Sequence, residues 1–308
     1  MNINNSILFF LFLNFLACKE TSKKVSSPTL GEIKIACDIQ LREIIQQEED
    51  IFEREYKYAK VELYYQNEST VFKMLKDDSV NTAITCRPYN ESELSFFRSR
   101  QINNPRYFPF AKGGLALLCN KEVKDTGIVY EDFMNLCRGI ESPQSRFNTI
   151  VVEDVNSGIA QFLLDKIQSE TFTKNVFTLD NKNDIMKYLT QNTKAIAVVD
   201  WCEFSDTDNT GQQARLSECK ILGISRPKDS VQLGFLKPEQ YLLQDNQYPL
   251  TRTYYILSVS GQDDLGLGFA SFITGDIGQR ILLKAGLLPL YQSERWIELK
   301  GGSYNVVE

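Results

Sequence analysis

The chain has 308 residues, a formal net charge of −6 and no histidine. The missing imidazole excludes Ser-His-Asp and Cys-His nucleophiles and His-based metal sites, and the acidic balance argues against a nucleic-acid partner. About 290 residues beyond the leader exceed what one hydrophobic core usually holds, so two lobes are expected.

The leader carries no charged side chain through Ala17, and Ile7 to Ala17 (ILFFLFLNFLA) is an apolar run followed by Cys18. The run is too short for a membrane span. It resembles a bacterial lipoprotein signal peptide, with residues 1–17 removed, Cys18 the lipid acceptor and 18–30 a polar tether. The n-region lacks Lys and Arg, and Phe15 stands where such signals usually carry Leu. Lys19 and Glu20 resemble the signal that sends some lipoproteins to the cell surface. Cys37, Cys86, Cys119, Cys137, Cys202 and Cys219 include no C-x-x-C pair, so neither a zinc nor a redox motif is supported. Each lies in or beside an apolar run, and burial is the expected state.

From Glu32 the pattern alternates strand and helix. Ile33, Ile35 and Cys37 predict a strand, and Leu41, Ile44, Ile45, Phe52 and Tyr56 a helix reaching about Tyr58. VELYY (61–65) predicts a second strand, after which Ser69 is a candidate cap for a helix through Phe72 and Leu75. TAITC (82–86) is a third strand, ended by Arg87-Pro88, and ELSFFRSR a further helix. Three strand-turn units in succession imply a parallel sheet with helices on its faces. Ligands bind such sheets beyond the carboxyl ends of the strands, here at Asp38 and Ile39, at Asn67 to Thr70, and at Cys86 and Arg87.

GLALLCN (114–120) predicts the crossover strand into a second lobe, followed by a helix around Tyr130 to Arg138. VVEDVNSGIAQFLL (151–164) then reads as strand, tight turn and helix N-terminus. The Ser157 hydroxyl with the N–H groups of Gly158 and Ile159 either holds an anion there or caps its own helix. A helix around Asn183 to Leu189 and the strand AIAVVDWC (195–202) follow. SDTDNTGQQ (205–213) reads as a surface loop and TYYILSV (253–259) as the return strand. The end is helical through GLGFASFITG and DIGQRILLKAG, with Gly286 a C-cap.

The ordered set IACDIQL, YYQNEST, AITCRPY, VVEDVNSGIA, YPLTRTYYIL and FASFITGDIGQRILLKAGLLPL resembles the phosphate-binding proteins of bacterial phosphate ABC importers, over roughly Gly31 to Trp296. The resemblance implies an α/β, two-lobed periplasmic-binding-protein-like fold, each lobe a mainly parallel sheet flanked by helices. Lobe 1 is expected over 31–118 and 250–300, lobe 2 over 119–249, and a tail over 301–308. It further implies a dehydrated anion held by helix N-termini, one Arg and one Asp. Carried over residue by residue, the ligand set is Ile39, Ser69, Thr70, Ser157, Gly158 and Ile159, the last standing where the family has threonine. The two charges are exchanged, because Glu153 holds the family's arginine position and Arg87 its aspartate position. The expectation is that Arg87 anchors the anion and Glu153 orients it or accepts a ligand proton. A structural salt bridge and two unrelated surface charges are the alternatives. Lys112 and Arg252 are further candidate cations.

The function expected is a lipid-anchored solute-binding protein closing on a small oxyanion, phosphate first, for ABC-type uptake. The partners implied are the anion, an ABC permease and the membrane through the lipid, with a monomeric chain and no cofactor, metal or nucleic acid. The alternative is a surface lipoprotein using the same fold for partner or adhesion contacts. An enzyme would draw on Glu153, Asp154 and Asp200, or on a thiol at Cys37, Cys86 or Cys202. Arg87 beside Cys86 is the one obvious activating neighbour, so no enzyme is expected.

Overall fold

The computed structural model describes residues 26–143, 145–179, 181–228 and 234–291. The leader, Cys18 and the tail expected at 301–308 lie outside the described residues. In chain order the elements are β1 (Leu30–Asp38), a 3-10 turn (Ile39–Leu41), α1 (Arg42–Glu55), β2 (Tyr58–Gln66), α2 (Glu68–Lys76), β3 (Thr82–Thr85), α3 (Glu91–Ser99) and β4 (Arg106–Asn120). Then come β5 (Gly127–Ile128), α4 (Tyr130–Cys137), β6 (Thr149–Val152), α5 (Gly158–Ile167), β7 (Val176–Thr178), α6 (Lys182–Gln191) and β8 (Ala195–Asp200). A 3-10 turn (Trp201–Glu203) leads to α7 (Thr210–Ser217), β9 (Cys219–Ile224), α8 (Gln240–Gln244), β10 (Thr251–Ser258), α9 (Leu265–Thr274), α10 (Asp276–Lys284) and β11 (Leu288–Pro289).

The strands follow the order β2-β1-β3-β10-β4-β8-β6-β7. β1 pairs in parallel with β2 and β3, and β6 with β7 and β8, so each lobe has a parallel core. β4 joins them. Its Arg106–Gly114 half pairs antiparallel with β10, and its Leu115–Cys119 half with β8. The mixed α/β, two-lobed architecture expected from the sequence is therefore the one observed.

Apolar periodicity explains the core. Ile35, Cys37, Ile45, Phe52, Tyr254 and Phe269 pack on one side of the first sheet, and Val71, Phe72, Leu75 and Phe97 on the other. In the second lobe Leu117, Phe133, Val152, Leu163 and Ile196 face Leu118, Val151, Ile185 and Val199 across the sheet. Burial of this apolar area is the main driving force for folding. All six described cysteines are buried free thiols.

Three local readings change. The cap of α2 is Asn67, whose Oδ1 accepts from Thr70 N–H at 2.9 Å. Ser69 therefore lies inside the first turn and does not cap the helix. The crossover strand begins at Arg106, well before Gly114. The stretch 205–213 is a surface loop only in part: Thr207, Asp208, Thr210 and Gly211 are exposed, but Ser205, Asp206 and Gln212 are buried and Asn209 caps α7. Its turn-forming letters serve hydrogen bonds, among them Ser205 Oγ donating to the Ala285 carbonyl at 2.5 Å. Gly286, at φ +82°, holds the left-handed position that ends α10, where a side chain would be strained.

Candidate functional site

The carboxyl ends of β1, β2, β3, β6 and β8 open onto one cleft between the lobes. Ile39 and Glu153 line both of its mouths, a cavity of about 380 Å³ that also touches Gln40, Asn67 and Ser157, and one of about 300 Å³ that also touches Arg42, Lys182 and Arg215. The lobes meet directly across it. Ser69 Oγ donates to the Asn156 carbonyl at 3.3 Å, and Asn67 Nδ2 donates to Asp154 Oδ2 at 2.9 Å.

At the head of α5, Ser157 is the N-cap. Its hydroxyl accepts from Ala160 N–H at 3.2 Å and donates to the Asp154 carbonyl at 2.6 Å, so both capacities are used within its own turn. Ile159 packs into the lobe 2 core. Gly158 lies close against the facing lobe. A Cβ there would lie 2.6 Å from Arg252 Nη2, 2.7 Å from Glu68 Oε2 and 3.1 Å from Asp38 Oδ2. Those three side chains come from β10, α2 and β1.

The floor beneath Gly158 is a buried charge cluster. Arg252 Nη1 donates to Asp200 Oδ2 at 3.0 Å and to Gln40 Oε1 at 3.1 Å, and Tyr254 OH donates to Asp200 Oδ1 at 2.5 Å. Asp38 is fully buried; its Oδ1 accepts from Gln40 N–H at 3.1 Å, while its Oδ2 and Arg252 Nε have no hydrogen-bond partner among the described residues. Burial pushes the Asp38 carboxyl up to about 7, with Arg252 opposing and Glu68 and Asp200 adding to the rise. Burial also works against the Arg252 charge, but Cys86, Asp200, Tyr254 and Asp38 outweigh it and the guanidinium stays protonated.

Arg87 and Glu153 are placed in different surroundings. The Arg87 guanidinium stacks 3.7 Å above the Phe72 ring, donates to Glu68 Oε1 through Nε and grips both oxygens of Glu93, each bond 2.9 Å. Glu93 in turn completes the capping box of α3 with Asn90. Glu153 is half-buried. Burial raises its pKa, against the pull of Lys182, whose Nζ reaches Glu203 at 2.6 Å. Among the described residues no hydrogen bond or ion pair joins Arg87 to Glu153. Of the two further cations, Arg252 lies on the cleft floor and Lys112 bonds Asn246 at 2.8 Å.

The sequence reading took in Glu68 only as part of the Asn67 to Thr70 turn, without singling it out, and passed over Gln40. An acidic residue opening a helix is ordinary dipole chemistry, so Glu68 carried no signal. Gln40 is one buried polar residue within an apolar turn. Among the described residues no group of three His, Cys, Asp or Glu side chains could hold a metal ion. No described helix is long and apolar enough to cross a membrane.

The fold is similar to solved structures of low sequence identity. A phosphate ABC transporter substrate-binding protein with bound phosphate from Clostridium perfringens aligns with a TM-score of 0.66 at 14% identity, over 84% of this chain and 100% of that one. An ABC-type phosphate transport receptor from Vibrio cholerae gives 0.63 at 15%, over 83% and 99%. PstS from Borrelia burgdorferi gives 0.53 at 16%, over 84% and 98%. A search of curated proteins finds no match. Residues 22–276 match the PBP superfamily domain, a match that takes in every cleft residue described above, and the chain belongs to that superfamily.

Proposed function

We propose that this protein is the solute-binding component of an ABC-type importer, closing its lobes on a small oxyanion of the phosphate kind and handing it to a permease. The chain acts as a monomer, its two lobes sharing β4, which passes from one sheet to the other between Gly114 and Leu115. The mature protein is anchored through lipid on Cys18 in a bacterial cell envelope, at the periplasmic or outer face. It performs no catalysis. The observation that carries this reading is the pair of unsatisfied buried groups below Gly158. Among the described residues Asp38 Oδ2 lacks a donor and Arg252 Nε lacks an acceptor, and buried polar groups are rarely left so. An oxyanion that keeps one proton supplies both, accepting from the guanidinium and donating to the carboxylate. The N–H groups of Gly158 and Ile159 add the positive end of α5. Bound phosphate in the Clostridium perfringens neighbour agrees with this ligand class.

In this assignment Arg252 is the cation nearest the ligand. Ser157, Gly158 and Ile159 shape the head of α5, Ile39, Ser69 and Thr70 the facing turns, and Arg87 and Glu153 act around the ligand. Thermal unfolding of extensively dialysed protein with phosphate, sulfate, molybdate and small carboxylates tests the reading. A ligand at about a hundredfold excess over Kd adds roughly 2.7 kcal/mol. A rise with phosphate supports the importer role.

One observation favours a second reading, a surface lipoprotein contacting a partner protein. Asn67 and Ser69 bond the opposite lobe directly, and Arg87 is held by two carboxylates. Indifference of the melting temperature to every anion would support it.

A further inference from the structure

The two mouths of the cleft are bridged in different ways. At the larger one the lobe 2 atoms belong to the turn 153–157, whose Asn156 is exposed, and the contacts are Asn67 to Asp154 and Ser69 to the Asn156 carbonyl. At the smaller one the bridge is Glu43, in the first turn of α1. Three donors from α7 and its cap converge on that carboxylate. Arg215 Nη2 donates to Oε1 at 2.8 Å, while Gln212 Nε2 at 2.8 Å and Asn209 Nδ2 at 3.4 Å donate to Oε2.

The donors are held by lobe 2 and the acceptor by lobe 1. Phe204 and Cys219, on either side of α7, are buried in one cluster with Leu118, Val151 and Val199, and Leu216 packs against it. The Arg215 guanidinium lies 5.7 Å from the Phe204 ring centroid and also donates to the Glu203 carbonyl at 3.2 Å. Gln212 Oε1 accepts from Asp206 N–H at 2.9 Å. Glu43 stands on α1, whose Ile44, Ile45 and Phe52 are buried in the first lobe. Beside this contact Asp208 pairs with Lys284 at 3.2 Å, and Ser205 bonds the Ala285 carbonyl. The segment 201–217 therefore leaves the second sheet after Asp200, grips α1 and the end of α10, and rejoins the second sheet at Cys219.

A carboxylate with three donors, one of them a guanidinium, makes charge-assisted bonds about twice as strong as neutral ones. The Arg215 and Glu43 side chains are 27% and 31% exposed, so the pair is less screened than one on the open surface. The contacts to the exposed turn 153–157 are the weaker set, and they give way first when the lobes part.

We propose that Glu43 is the positioning residue of closure: it pins α7 to α1, makes the smaller mouth the pivot, and holds the empty cleft near its closed width. The ligand then passes through the mouth lined by Gln40, Asn67 and Ser157. A binding-competent width that is already populated loses little affinity to closure. The effect on binding rests on the oxyanion reading above; the effect on the width of the cleft rests on the geometry alone.

Small-angle scattering of the extensively dialysed protein, with stopped-flow titration by inorganic phosphate at pH 7, tests both. Glu43→Ala is expected to enlarge the radius of gyration of the ligand-free protein and to weaken phosphate binding about tenfold, chiefly through faster release. Glu43→Gln keeps an acceptor for Gln212 and Asn209 but gives up the charge facing Arg215, and is expected to fall between the two. A merely structural role would lower the melting temperature and leave the radius and the release rate where they were. An unchanged radius in Glu43→Ala overturns the clasp. A larger radius with unchanged phosphate affinity overturns its role in binding. A larger radius with no phosphate binding by the wild type overturns the oxyanion reading and leaves the clasp standing. Circular dichroism checks folding; should Glu43→Ala fail it, Arg215→Met, which breaks the pair from the other lobe, decides by the same two readouts.

Discussion

Arg252 and Asp200 form an ion pair of 3.0 Å in which the side chains are 1% and 0% exposed. They sit on either side of β4, opposite Gly113 and Leu115 respectively, so the pair marks the crossing between the two sheets. Removing one partner from a buried pair leaves an uncompensated charge, which typically costs about 3–5 kcal/mol. Arg252→Ala should lower stability by about that amount in urea unfolding. Asp200→Asn should cost less, because its amide oxygen still accepts from Tyr254 or Arg252.

The acid-to-base profile follows from carboxyls raised by burial. Asp38 is pushed up to about 7, Glu203 to about 8 and Glu48, whose two oxygens have no partner among the described residues, to about 9. In each the folded state holds its proton more tightly than the unfolded chain. Their contribution is therefore complete below the ordinary carboxylate range and is lost as pH rises toward 9, at up to about 1.4 kcal/mol per pH unit for each proton. Melting temperature should fall from pH 5.5 to pH 9. Glu48→Gln should flatten the upper part of that fall, and an unchanged slope would remove Glu48 as a source.

Gly158→Ala puts a methyl group against Arg252, Glu68 and Asp38. All three are buried, so none can swing into solvent. Overpacking of this kind costs about 1–3 kcal/mol. The cheapest relief is parting of the lobes, which would break the Ser69–Asn156 contact. Small-angle scattering should show a larger radius of gyration for the variant than for the wild type, with intact circular dichroism.

The thiols should be silent in the folded protein. Burial pushes Cys119 up to about 11 and Cys137 and Cys219 up to about 12, and raises Cys37, Cys86 and Cys202 as well. The thiolate is the reactive form. A thiol reagent at pH 8 should label the six slowly in native buffer and within minutes in denaturant. Fast labelling of any one in the native state would contradict the burial pattern.

Short-range pattern carried the fold. Alternation at Ile33, Ile35 and Cys37, the Val151-Val152 pair before Ser157, and the apolar stripe of α5 each depend on neighbours a few residues away, and each is legible. The cleft chemistry depends on distant partners. Arg252 meets Gln40 across 212 residues and Asp200 across 52, and within YPLTRTYYIL it reads as an outward-facing strand residue. Arg87 offers a middle case. The Asn90 to Glu93 spacing is a readable capping box, but nothing local says that the capping Glu93 also grips a guanidinium. At 205–213 the turn-forming letters located the exposed tip but not the buried Ser205, Asp206 and Gln212, because buried backbone uses the same side chains that exposed loops do.

β4 gives its first nine residues to one sheet and its last six to the other without a break. Cutting the chain between the lobes would strip one of them of its central strand and leave a row of bare amide groups, an invitation to aggregate. Neither half is therefore a transplantable module. Chimaeras that exchange one lobe for that of a relative should fold only when the whole of Arg106–Asn120 comes from a single parent, which makes this strand the unit of recombination.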